Sequence, residues 1–193
     1  MTRGPRFTLT TLDGAAAFGA LPDGAVPRYN IAPGQRALVA TAGGIALRRW
    51  GLLPRWRGHG GKRAPRIALA TLAEAARVPL LRDAERGLAL ADGRYAWHPA
   101  PRWLHPAPPA IVGLAALCAQ SRDDGVASFA LLHDGDDLLV ADRAWLDRQA
   151  PLEHAAAPRG WRAVRVSDHA GSPAHDDPRC VAPIGNPRQG ELF

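Results

Sequence analysis

The 193-residue chain holds a single lysine, a single methionine, two tyrosines, four phenylalanines and two cysteines. Each shortage removes a possibility. Cys118 and Cys180 form no CxxC pair and no zinc spacing, which excludes a disulfide framework and a zinc ribbon; both are read as reduced core thiols. A chain of this length buries roughly 70% of its unfolded surface and needs no such staple. No apolar run reaches the roughly 18 residues of a membrane span, and residues 1–10 lack the apolar core of a signal peptide. The expectation is a soluble, cytoplasmic protein with no membrane partner. No linker-like stretch and no internal repeat divides it, so one domain is expected over 1–183, followed by a loosely held tail over 184–193.

Charge is plentiful but unevenly placed. The net charge is +6, and because Lys62 is the only lysine the other basic side chains are all arginine. Residues 1–66 carry 11 basic and 2 acidic side chains; residues 67–193 carry 13 and 16. A basic first third on a slightly acidic remainder suits an anionic partner such as nucleic acid, or is simply a solvated basic face.

Short β-like runs occur at 6–12, 37–40, 45–50, 87–91, 110–117, 128–132, 138–140 and 162–167, mostly separated by Gly, Pro or Asp clusters. Helical pieces are expected at 12–20 with Asp13 as a cap, at 70–77, at 78–85 and at 142–149 with Asp142 as the N-cap. Strands without regular βαβ alternation indicate an α+β domain, not a doubly wound one. Residues 133–137, His-Asp-Gly-Asp-Asp, read as a tight hairpin turn. Residues 98–109 read as a proline-rich surface loop.

The richest functional stretch is 48–66. It contains Arg48, Arg49, Arg55, Arg57, Lys62, Arg63 and Arg66, no acid, Trp50 and Trp56, and a glycine-rich run at 58–61. Cations contact phosphates, indole faces stack on bases, and glycine lets the backbone approach a phosphate. The competing reading packs both tryptophans into the core. Arg28 to Gln35, with Asn30 three residues before Pro33-Gly34, reads as an ordered loop. Residues 91–97 read as a turn running into the aromatic pair Tyr95 and Trp97. His98 and His105 lie in the proline-rich segment, and His169 and His175 lie near Asp168, Asp176 and Asp177. These spacings match no standard zinc pattern, so neither a metal nor a cofactor is expected. Ser167, Asp168 and His169 lack the nucleophile elbow of a hydrolase.

Several motifs fall in the order of a known family. Arg6-Phe7-Thr8-Leu9, Tyr29-Asn30-Ile31-Ala32-Pro33 and Trp50-Gly51-Leu52-Leu53-Pro54-Arg55-Trp56 are followed by Arg86, Asp92-Gly93, Tyr95 and Trp97, then Gly113-Leu114 and a Val166-Ser167 to Pro183 tail. Across nearly its whole length the chain resembles the SRAP family, the SOS response-associated peptidases, also called abasic-site processing proteins. That resemblance implies an α+β domain with a curved, mostly antiparallel β-sheet and short flanking helices, and single-stranded DNA as partner, with an N-terminal cysteine, exposed by removal of Met, that condenses with an abasic-site aldehyde to a thiazolidine. It further implies a Glu and a His that move protons, an Asn that positions the sugar and arginines that hold phosphates.

The chain departs from the family where that chemistry resides. Position 2 is Thr2, and Gly4 falls where the cysteine would lie. The Asn-Ala-Arg-x-Glu segment falls near Ala68 to Leu72, the acid falls on Ala96 and the motif cysteine on Gly87. The family histidine corresponds to His133, which the hairpin reading also claims. The resemblance thus implies a DNA-damage (SOS) protein that binds single-stranded or abasic DNA through Arg6, Asn30, Pro33, Arg48, Arg49, Trp50, Arg55, Trp56, Arg57, Lys62, Arg63 and Arg66, without the family's covalent cross-linking and self-processing. Two alternatives stand beside it: a weakened enzyme using the Thr2 amine as imine former with His133, and a non-enzymatic scaffold in a repair complex. The oligomeric state is left open.

Overall fold

The computed structural model describes residues 4–52, 66–120 and 125–185. Along them run strands β1 (Phe7–Leu9), β2 (Arg28–Ile31), β3 (Arg36–Thr41), β4 (Gly44–Trp50), β5 (Leu69–Thr71), β6 (Glu85–Ala91), β7 (Gly93–Ala96), β8 (Arg102–His105), β9 (Val112–Gln120), β10 (Ala127–Asp134), β11 (Asp137–Leu138), β12 (Val140–Ala141) and β13 (Arg162–Arg165). Two short helices, α1 (Leu72–Arg77) and α2 (Pro79–Arg82), separate β5 from β6.

The strands form two sheets. The larger has the order β11-β10-β4-β3-β6-β9-β12, with β5 on β10. Strand β10 also pairs with β9, so β3, β4, β10, β9 and β6 close on themselves as a small barrel. Most pairings are antiparallel; β10 runs parallel to β4 and β5. The smaller sheet has the order β13-β8-β7-β1-β2. The α+β architecture expected from the sequence is present, with its curvature carried through to closure.

The barrel wall is buried on both faces, which is why β9 reads as a nearly continuous apolar run. Alternate residues feed two clusters. One joins Leu38, Leu88, Leu90, Ala115, Leu117, Leu132 and Trp145. The other joins Val39, Trp50, Ala89, Ala116, Phe129 and Leu131 to Phe7 and Ile31 of the smaller sheet, and so ties the sheets together.

Several local expectations are revised. Residues 12–20 form only a 3-10 turn, Ala15–Phe18, entered through Gly14 at φ 86° with no side-chain cap. The 142–149 segment is likewise a 3-10 turn, Arg143–Leu146, capped by Asp142 through Ala144 N at 2.9 Å. The expected helix at 70–77 begins two residues later, because Thr71 and Glu74 form a reciprocal capping box and β5 occupies the residues before it. Strands β2 and β8 replace expected loops. β8 lies within the proline-rich segment, where Arg102–His105 pair with both β7 and β13. The expected turn at 133–137 is a true hairpin: Asp134 faces Asp137, and Gly135 takes φ 55° at the first central position, the conformation a primed turn asks of glycine. Cys118 and Cys180 are both free and buried. Of the tail expected at 184–193, residues 186–193 lie outside the described residues.

Candidate functional site

Strand β7 places Arg94, Tyr95, Ala96 and Trp97 beside β1 and the β10–β11 hairpin. Two constraints fix that strand. Asp92 is buried and accepts from Thr8 Oγ1 at 2.6 Å and from the Thr10 amide, anchoring the end of β1. Gly93 lies so close to β8 that an added Cβ would overlap the Trp103 indole nitrogen and sit 2.8 Å from the Leu104 carbonyl oxygen. Asp92-Gly93 thus sets the approach of β1, β7 and β8.

A cleft of about 710 Å³ opens beside this strand, with Pro5, Arg6, Arg94, Trp97, His133 and Asp136 in its walls. Ala96 and Leu69 also line it; Ala68 instead uses its carbonyl to accept the Trp50 indole N–H at 2.8 Å. The lining is polar despite these side chains: two guanidiniums, an imidazole and a carboxylate converge there. The chain start does approach the cleft, since Pro5 lines it and Trp97 Nε1 donates to the Gly4 carbonyl at 3.0 Å.

Each charged group has a physical anchor. Arg6 is buried, donates to the Ala170 and Gly171 carbonyls and lies over the Trp97 ring at 5.2 Å. Arg94 pairs with the Asp137 carboxylate and donates to the Asp136 carbonyl at 3.3 Å. Its Nε is buried with no hydrogen-bond partner among the described residues, and burial lowers its pKa from the usual guanidinium value, opposed by Asp137 and Asp136. His133 Nδ1 lies 3.0 Å from the Gly135 carbonyl oxygen. A carbonyl can only accept, so Nδ1 carries the proton and Nε2 keeps a lone pair in the neutral ring. His133 is thereby a hairpin residue that also lines the cleft.

The remaining candidates scatter. Trp50 is fully buried between Phe7 and Phe129, with ring centroids at 5.2 and 6.2 Å, so its indole face is closed to a base. Asn30 is also fully buried: its amide donates to the carbonyls of Ala170, Ser172 and His175 at 3.1, 2.8 and 2.8 Å. It pins the C-terminal segment and has no route to a sugar. Arg48 pairs with Glu85 at 3.2 Å, and Arg49 donates to the Gly34 carbonyl at 2.9 Å. Pro33 and Arg66 are exposed. Thr2, Arg55, Trp56, Arg57, Lys62 and Arg63 lie outside the described residues. Arg94 was missed because only its place beside Asp92-Gly93, not its own identity, belonged to a motif.

Gly87 is held small by its surroundings. A Cβ on Gly87 would lie 2.7 Å from the Cys118 sulfur and 3.2 Å from the Ala40 carbonyl, so Cys118 fills the space a larger side chain would need.

The profile of the SOS response associated peptidase (SRAP) family matches residues 6–136. The chain belongs to the SRAP family. The match runs from Arg6 through the hairpin at Asp136, and so includes β1, β7 and the His133 wall of the cleft. Membership associates this SRAP chain with the SOS response to DNA damage. No curated protein matches the sequence. Solved structures share the fold. A Bacteroides thetaiotaomicron protein superposes with TM-score 0.76 at 15% identity, covering 93% of this chain and 99% of that one. A phage-related protein of Bordetella bronchiseptica gives TM-score 0.61 at 22% identity, covering 84% and 94%. A second Bordetella bronchiseptica protein gives 0.62 at 18%, covering 84% and 99%. Among the described residues of this SRAP domain, no helix is long and apolar enough to cross a membrane.

Proposed function

We propose that this SRAP domain binds single-stranded DNA, intact or abasic, in the cleft beside β7, without the durable covalent link of its family. The observation that carries the reading is the pair of guanidiniums, Arg6 and Arg94, in a cleft of about 710 Å³ walled by Trp97 and Tyr95. The basic first third of the chain supplies the surrounding field that draws in a polyanion. Ala96 places a methyl group where the family's acid falls, and neither Thr2 nor Gly4 supplies an aminothiol. A hydroxyl is a far weaker nucleophile than a thiolate at neutral pH.

His133 favours a second reading. Its Nε2 lone pair could accept a proton while the Thr2 amine, freed by removal of Met1, condenses with the abasic aldehyde to an imine and releases water. Incubation with a single-stranded abasic oligonucleotide, denaturation and electrophoresis separates the readings. The expected result is salt-dependent binding with no heat-stable adduct. An adduct trapped only by borohydride supports the imine route. A heat-stable adduct in good yield overturns the non-covalent reading, and absence of binding at low salt overturns DNA binding in favour of a scaffold role.

A further inference from the structure

Outside the cleft, the segment that holds Arg6 and Asn30 carries its own chemistry. His169 lies in the 3-10 turn Asp168–Gly171, and Asp177 caps the 3-10 turn Pro178–Cys180. Residues three apart on a 3-10 turn share a side, which sets Asp177 beside Cys180. The fold then brings His169 against both. A ring nitrogen of His169, a carboxylate oxygen of Asp177 and the Cys180 sulfur all lie within 4.8 Å of one another. His169 Nε2 is 3.0 Å from Asp177 Oδ2.

We propose that His169, Asp177 and Cys180 form a binding site for a borderline divalent cation of the zinc type. Nitrogen, carboxylate and thiolate are the donor classes zinc takes, and three protein donors leave a fourth position for water or an incoming group. Two light-atom ligands of a tetrahedral zinc lie about 3.3 Å apart, and a sulfur and a nitrogen about 3.5 Å apart. The 3.0 Å contact is near that spacing already, and the sulfur, within 4.8 Å of both, has to close by at most about 1.3 Å. On binding, the Cys180 thiol releases its proton to solvent, and the His169 proton moves from Nε2 to Nδ1 so that Nε2 can donate its lone pair.

The carboxylate is already divided between two tasks. Asp177 Oδ1 accepts the Arg179 amide at 2.9 Å as a turn cap, leaving Oδ2 toward His169. Arg179 also grips this carboxylate, with Nη2 at 2.8 Å from Oδ2, but its side chain is three-quarters exposed and an exposed ion pair is surrendered cheaply. His175 stacks on His169 at 3.9 Å between centroids and donates Nδ1 to the His169 carbonyl at 2.7 Å, which orients the turn. Cys180 forms the buried vertex, packed with Tyr95, Val166 and Ala170. The cation would clamp the loop whose carbonyls hold Arg6 and Asn30. The site rests on this cluster alone and is independent of DNA binding in the cleft.

The test is titration of the chelator-stripped chain with cobalt and then zinc. The expected result is one ion per chain, a thiolate-to-cobalt charge-transfer band, and a rise in Tm with zinc. Cys118→Ala and His154→Gln should leave band and stoichiometry unchanged. Cys180→Ala and His169→Gln should abolish the band and weaken binding by roughly 100-fold or more. Arg179→Ala should tighten it by removing a competitor for Asp177. If Cys180→Ala does not fold, His169→Gln and Asp177→Asn read the same site from its solvent side. The proposal is overturned if the wild-type chain gives no thiolate band, or if the band and stoichiometry survive in His169→Gln.

Discussion

The Arg94 guanidinium reaches from β7 to the Asp137 carboxylate on the β10–β11 hairpin, and this ion pair fastens the strand that carries Ala96 to the hairpin that carries His133. The Arg94 side chain is 8% exposed, that of Asp137 43%. Removing the outer partner leaves the inner charge with only the Asp136 carbonyl and the Asp136 charge to offset it. Asp137→Ala should cost about 1–2 kcal/mol in urea unfolding, less than a fully buried pair because solvent reaches the carboxylate. Replacing both residues by apolar ones should cost less than that single change. An Asp137→Ala variant as stable as the wild type would remove the pair from any role in holding the cleft.

Asn30 should act on stability rather than on ligand affinity directly. Asn30→Ala leaves the Ala170, Ser172 and His175 carbonyls without their shared donor, at about 2–3 kcal/mol. Asn30→Asp should cost more, because carboxylate oxygens cannot donate to those carbonyls. Limited proteolysis should then cut first within residues 170–176. Unchanged stability with lost DNA binding would mean that Asn30 contacts the ligand after all.

Trp50 separates core from interface. Trp50→Ala should destabilise by about 3–5 kcal/mol through the cavity between Phe7 and Phe129. Under conditions where the variant stays folded, its salt slope for single-stranded DNA should match the wild type. The triple change Arg55→Ala, Arg57→Ala and Arg63→Ala should instead flatten the slope by about two to three phosphate contacts. Binding titrations at several salt concentrations decide between the two.

Alkaline pH should loosen the fold. Burial pushes the Tyr95 hydroxyl well above its usual 10.0 and the Cys118 thiol from 9.0 up to about 12. The folded state keeps these protons after the unfolded chain has lost them, so stability is full below pH 9 and falls as pH rises beyond it. Each group contributes a slope of up to about 1.4 kcal/mol per pH unit. Tyr95→Phe should lose about 1 kcal/mol at neutral pH with the bond to the Tyr29 carbonyl, and should show a shallower decline above pH 10. An identical decline in both proteins would show that Tyr95 is not the titrating group. Cys118 should resist alkylation until the chain unfolds.

The amino-acid sequence by itself determined the α+β class, the positions of most barrel strands and the 133–137 hairpin. These rest on short-range physics: β-branched and apolar runs bounded by turn residues, and a glycine where φ must be positive. The ordered motifs around Phe7, Asn30 and Trp50 carried the family for the same reason, since their residues meet steric and hydrogen-bonding demands that few others satisfy. Tertiary structure alone decided what those residues do. Trp50 and Asn30 could have faced DNA by type and spacing, but long-range packing buried one between two phenylalanines and spent the amide of the other on three carbonyls of the C-terminal segment. β2 and β8 escaped a local reading because their pairing comes from distant strands that outweigh their own turn and proline content. His133 and Arg94, 39 positions apart, share a cleft only because β7 and the β10–β11 hairpin meet there, and His169 meets Cys180 only because two 3-10 turns fold back on one another. Contacts of this kind follow from closure of the barrel and docking of the smaller sheet, which no window of neighbouring residues contains.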